Sequence, residues 1–145
     1  MQSIDDIYTK LYAIRVTGVK THEKYPPYTF NTAEYPLLFF RNVKFNLEYS
    51  ASLEYSFTGA TPSTLDLSSG SAEMIIIIES FRQGTSVQNY SKSRQLLNAV
   101  ADAVNASNIT IDVDGVEIEE DFELTGDTVL FVVKCKINFS IYESK

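Results

Sequence analysis

Glu73-Met74-Ile75-Ile76-Ile77-Ile78-Glu79-Ser80-Phe81 sets four consecutive isoleucines between two glutamates. A run this short and this rich in β-branched side chains predicts a strand buried on both faces. Gln83-Gly84-Thr85 breaks it, and a helix is predicted from Thr85 or Ser86 to about Ala106. Its buried stripe is Tyr90, Ser93, Leu97, Val100, Ala101 and Val104, with Leu96 and Ala103 on the flanks. A central strand with a helix packed on its sheet makes the expected core.

Upstream, every odd position from Val43 to Phe57 is apolar and every even position polar. That alternation predicts a strand with one face covered and one wet. Fifteen residues would span roughly 50 Å, more than a usual strand. Either the strand bends near Ser50-Ala51-Ser52, or it projects as an arm whose apolar side chains Tyr49, Leu53 and Tyr55 meet a neighbouring subunit. Thr58 to Ser71, rich in Gly, Ser, Thr and Pro, predicts a long loop joining this strand to the isoleucine strand in a long β-hairpin.

At the N-terminus, Ile4, Ile7, Tyr8, Leu11 and Ile14 form one helical stripe between Ser3 and about Arg15. Ser3 suits the N-cap, Asp5 and Asp6 suit the positive end of the dipole, and Gly18 is the stop signal. Lys20 to Tyr35 contains Pro26-Pro27 and reads as loop, with the lone histidine, His22, solvated in it. Leu37-Leu38-Phe39-Phe40 fits a strand or a buried turn.

Downstream of the second helix the pattern is all sheet. Ile109, Ile111 and Val113 alternate, and Asp114-Gly115 predicts a hairpin turn. Val116, Ile118, Phe122 and Leu124 carry the return strand, with an irregularity expected at Glu119-Glu120-Asp121. Gly126-Asp127 turns the chain into a last strand, Thr128 to Tyr142, two-sided at Leu130 and Val132 and half exposed at Lys134 and Lys136. The expected fold is a single α+β domain, residues 1–145, with a mainly antiparallel sheet and two helices on one face.

The charge distribution narrows the function. Net charge is −7, and eight acids with no Lys or Arg lie between Asp112 and Asp127. That leaves 11 acids against 12 Lys and Arg elsewhere. General affinity for nucleic acid needs a basic surface, so it is not expected. The segment is a poor calcium loop, because Gly115 falls at position four rather than six and the flanks alternate like strands. It reads as a hairpin with an acidic outward face that resists edge-to-edge pairing. A sharper reading lets Glu117, Glu119 and Asp121 line a surface that repels another polyanion. Phosphate-loop, dinucleotide, serine-hydrolase and HExxH motifs are absent, so neither enzyme chemistry nor a cofactor or metal is expected. The lone Cys135 sits on an alternating apolar face and reads as core. Met1-Gln-Ser-Ile-Asp-Asp has no signal-peptide layout, and no apolar run is long enough for a membrane span.

An amphipathic helix, the extended Tyr35-Pro36 segment, a long hairpin ending in Met74–Glu79, a helix carrying Tyr90, Arg94, Leu97 and Val104, and a closing strand meander follow in order. This arrangement resembles the tail-terminator (tail-completion) proteins of long-tailed bacteriophages. The resemblance is one of pattern and size, and it transfers no functional residue. It implies a non-catalytic virion subunit in a hexameric ring that caps the tail tube and docks the neck, with DNA only as passing cargo. The arm would then supply subunit contacts, and the acidic segment would face the lumen or the tube. Another small tail, tube or neck subunit, and a monomeric ligand-binding α+β domain, are the competing expectations.

Overall fold

The isoleucine run forms the middle of one long strand, and Ile75, Ile76 and Ile77 are fully buried. In this computed structural model, residues 4–49, 65–84, 89–106 and 112–140 are described. Their elements are α1 (Ile4–Tyr12), β1 (Thr21–His22), a 3-10 turn at Thr32–Glu34, β2 (Leu37–Tyr49), β3 (Leu65–Arg82), α2 (Tyr90–Ala106), β4 (Asp112–Thr125) and β5 (Thr128–Ser140). The strands make one sheet in the order β1-β2-β3-β5-β4. Only β1–β2 is parallel, so the fold is α+β with a mixed, mostly antiparallel sheet.

Both helices lie over one face. Ile7 and Leu11 of α1 and Leu96, Val100 and Val104 of α2 join Leu38, Phe40, Met74, Ile76, Phe131, Val133 and Cys135 in one cluster. On the far face Leu37, Phe39, Ile75, Ile77, Leu130 and Val132 form a second, smaller cluster beside Phe30 and Tyr35 of the β1–β2 connection. The two-sided burial predicted for β3 and for the start of β5 therefore holds. Each such aliphatic side chain contributes about 1.5–3 kcal/mol by leaving water.

Two irregularities bring the apolar pattern into phase. The register of β2 on β3 shifts between Arg41 and Lys44, and Asn42 there has φ 51°. One inserted residue reverses the side to which alternate side chains point. The even residues Leu38 and Phe40 and the odd residues Val43 and Phe45 thus all face the helices. A second shift, between Ile77 and Glu79 in β3, lets Phe81 join Ile76 and Ile78 on that side.

Several boundaries differ from the sequence reading. β3 starts at Leu65, so Leu65–Ser71 belong to strand rather than to loop. The rest of that expected loop, and the turn that would make β2 and β3 a hairpin, lie outside the described residues. So does the bend sought near Ser50-Ala51-Ser52. Asp114-Gly115 does not turn the chain; it lies inside β4, where the register shifts between Val113 and Gly115. The extra residue is absorbed as a bulge, so among the described residues β4 and β5 form a two-strand hairpin in place of the expected three-strand meander. The irregularity expected at Glu119–Asp121 is absent, and those residues pair in regular register. The predicted Gly126-Asp127 turn is present, with Gly126 at φ 64°.

The helix stripes shift slightly. α1 ends at Tyr12, Ile14 is buried just beyond it, and Ile4 is 43% exposed. On α2 the stripe runs through Ser93, Leu96, Val100 and Val104, with Leu97 on its flank and Tyr90 exposed. The predicted caps Ser3 and Thr85 or Ser86 lie outside the described residues.

Candidate interaction surface

The far face of the sheet carries an ion network below its apolar cluster. Pairing sets Arg41, Glu73, Lys136 and Glu117 in one row across four strands, and Phe39, Ile75, Lys134 and Glu119 in the next. The third row is Leu37, Ile77, Val132 and Asp121. Arg41 reaches over β3 and β5 to the Glu123 carboxylate, donating from Nη1 to Oε2 at 2.8 Å and from Nη2 to Oε1. The same Nη2 lies 3.5 Å from Glu73. Asn42, turned by its positive φ, donates from Nδ2 to the other Glu73 oxygen at 2.8 Å. Lys134 Nζ sits 2.9 Å from Asp121 and 3.8 Å from Glu119.

Electrostatics follow this geometry. Burial pushes the Glu73 carboxyl up, but Asn42, Arg41 and Lys134 together outweigh it and hold the group below its usual range. The hydrogen bond from Lys134, then the Phe122 N–H, hold Asp121 low as well. The reciprocal bond to Asp121 holds Lys134 high against its partial burial. Glu73, Glu117, Glu119, Asp121 and Glu123 thus share this face with Arg41, Lys44, Lys134 and Lys136. The acid run is not an unopposed negative field, because its cations come from the next strand, β5, and from the distant β2.

Of the residues singled out from sequence, Glu117, Glu119 and Asp121 do come together along one side of β4. Glu117 and Glu119 are exposed, and Asp121 is half-buried. Tyr49 is the last residue of β2; Leu53 and Tyr55 lie outside the described residues. Sequence reasoning did not pick out Arg41, Asn42, Glu73, Glu123 and Lys134. The only signal for them was period-two alternation around positions 41, 73 and 134, and it names no partners.

On the helix face, apolar side chains run out to both rims of the sheet. On β4, Phe122 stacks on Phe131 at 5.0 Å yet remains 48% exposed, and Leu124 is 68% exposed. On β2, Val43 and Phe45 pack against the core while Leu47 is 52% exposed.

A groove of about 490 Å³ lies between the end of α1 and β1, lined among others by Tyr12, Arg15, His22, Lys24, Tyr25 and Phe40. Contrary to the solvated position expected, His22 is half-buried, and its Nε2 accepts the Val16 N–H at 3.2 Å. Burial, then Arg15, push its imidazole below the ordinary value. Cys135 is buried, which pushes its thiol up to about 12. Among the described residues no cluster of three His, Cys, Asp or Glu is placed to hold a metal, and no helix is long and apolar enough to cross a membrane. No protein-family model matches the chain, and a comparison with curated proteins finds no match.

Proposed function

We propose that this chain is a tail-terminator subunit of a long-tailed bacteriophage. Six copies would close into a ring on the finished tail tube and present a docking surface to the neck. DNA would pass through as cargo, without enzymatic chemistry, cofactor or membrane contact, and the protein would reside in the virion at the head-proximal end of the tail. The observation that carries the reading is that the apolar pattern of β2 outruns the core. Val43 and Phe45 are covered, Leu47 is half exposed, and the alternation continues in sequence to Phe57. Apolar side chains repeated beyond a subunit's own core call for a second surface to cover them.

The solution mass of the purified chain, measured by light scattering across a concentration series, tests this. A species near six subunits supports the ring, and long polymers favour a tube subunit of the same tail. A monomer at every concentration argues for the second reading, a ligand-binding domain. The aromatic and cationic groove around Tyr12, Lys24 and Tyr25 favours that alternative.

A further inference from the structure

We infer that copies of this chain join by sheet continuation, with the outer edge of β4 in one copy pairing with the outer edge of β2 in the next. β1 covers β2 only at Leu37 and Leu38. Among the described residues, therefore, no strand flanks the outer side of β2 from Phe39 to Tyr49. Among the described residues, β4 likewise ends the sheet at the opposite side along all 14 of its residues.

Strand direction permits the junction. β2 and β5 run one way, β3 and β4 the other. A second copy set beside the first in the same orientation brings its β4 antiparallel to β2, so the antiparallel ladder continues without a break. The same placement keeps faces matched. The helix side of β4, with exposed Phe122 and Leu124, continues into the helix side of β2, with exposed Leu47 at the far end of that strand. On the far side the exposed Glu117 and Glu119 approach a strand that carries the exposed Lys44.

Charge and the use of both edges favour this pairing over the symmetric ones. Two β4 edges would oppose acid row to acid row, and like charges directly across a strand pair are destabilising. Two β2 edges would leave the 14-residue β4 edge of each copy open. Only the unlike pairing uses both edges of every copy, and an unlike junction is heterologous, the kind that builds rings or filaments. The inference names the subunit contact of the ring reading and rests on that reading for closure alone.

The test is disulfide cross-linking under mild oxidation. Lys44→Cys and Glu117→Cys are made singly and together, beside the buried Cys135. Within one chain the two positions are separated by β3 and β5, about 14 Å at the usual strand spacing, so a disulfide-length link inside the chain is excluded. The expected result is a ladder of covalent multimers from the double variant and none from either single variant. Dimers from a single variant would show like edges meeting and overturn the inference. No ladder from a double variant that light scattering finds in multi-subunit form would overturn the edge assignment while leaving the ring reading standing. No ladder from a chain that is monomeric throughout would overturn both.

Discussion

Arg41 shows how one side chain ties the far face together. It holds Glu123 on β4 and Glu73 on β3, and its side chain is 25% exposed against 23% and 19% for its partners. Partial exposure screens these pairs. Arg41→Met should therefore cost about 1–2 kcal/mol, toward the low end for bonds between charged groups. A double-mutant cycle with Glu123→Gln, read from urea midpoints, should return a coupling of about 1 kcal/mol; strict additivity would mean the contact contributes nothing. His22 makes a pH prediction. Its Nε2 accepts the Val16 N–H, so the folded state holds the neutral ring, and the imidazole titrates below the ordinary 6.5. As pH falls the unfolded chain takes up its proton first. The contribution is complete above about pH 6.5 and is lost as pH drops through the folded value. In His22→Gln the amide oxygen can still accept the N–H but does not titrate there. This variant should keep its stability at neutral pH and lose part of the acid-side slope. An unchanged slope would place the titration in other groups.

Gly70 carries the same reasoning to whole strands. It pairs with Phe45 on one side and Phe139 on the other, and a Cβ there would sit 2.6 Å from the Phe139 ring and collide with the Lys44 carbonyl. Overpacking of this kind costs about 1–3 kcal/mol. Gly70→Ala should fall in that range and loosen the Lys44–Leu47 end of β2, read as faster amide exchange there than at Leu37–Phe40. Equal exchange along β2 would show that the strand relaxes around the methyl. Gly70 also explains why part of the sheet was not legible. Ser68-Ser69-Gly70-Ser71 has loop composition, yet the glycine is there to admit an aromatic ring from a strand about seventy residues away. Asp114-Gly115 misled in a similar way, because a turn signal describes local preference while β5 supplied a partner across it. The signals that did carry over were those set by burial, namely the isoleucine run, the two-sided start of β5 and the face of each helix. The ion network stayed hidden because it joins positions 41, 73, 123 and 134 through register alone.

The molecule as a whole presents two unlike rims, and Leu47 separates a rim that completes a neighbour from one that only borders solvent. Its side chain is half exposed, and substitution of an exposed residue usually changes subunit stability by no more than about 0.5 kcal/mol. Leu47→Glu should therefore leave the melting temperature of the dilute chain nearly unchanged. Association adds stability by mass action, so the melting temperature of an assembling subunit rises with its own concentration. The unsubstituted chain should show that rise, and Leu47→Glu should abolish it, since a carboxylate would have to lose its water inside the junction with the next copy. A calorimetric series over a hundredfold range of concentration, run on both proteins, separates the cases. If Leu47→Glu instead lowers the dilute melting temperature and keeps the concentration dependence, Leu47 belongs to the subunit's own core, and the apolar stripe of β2 is covered from within the chain.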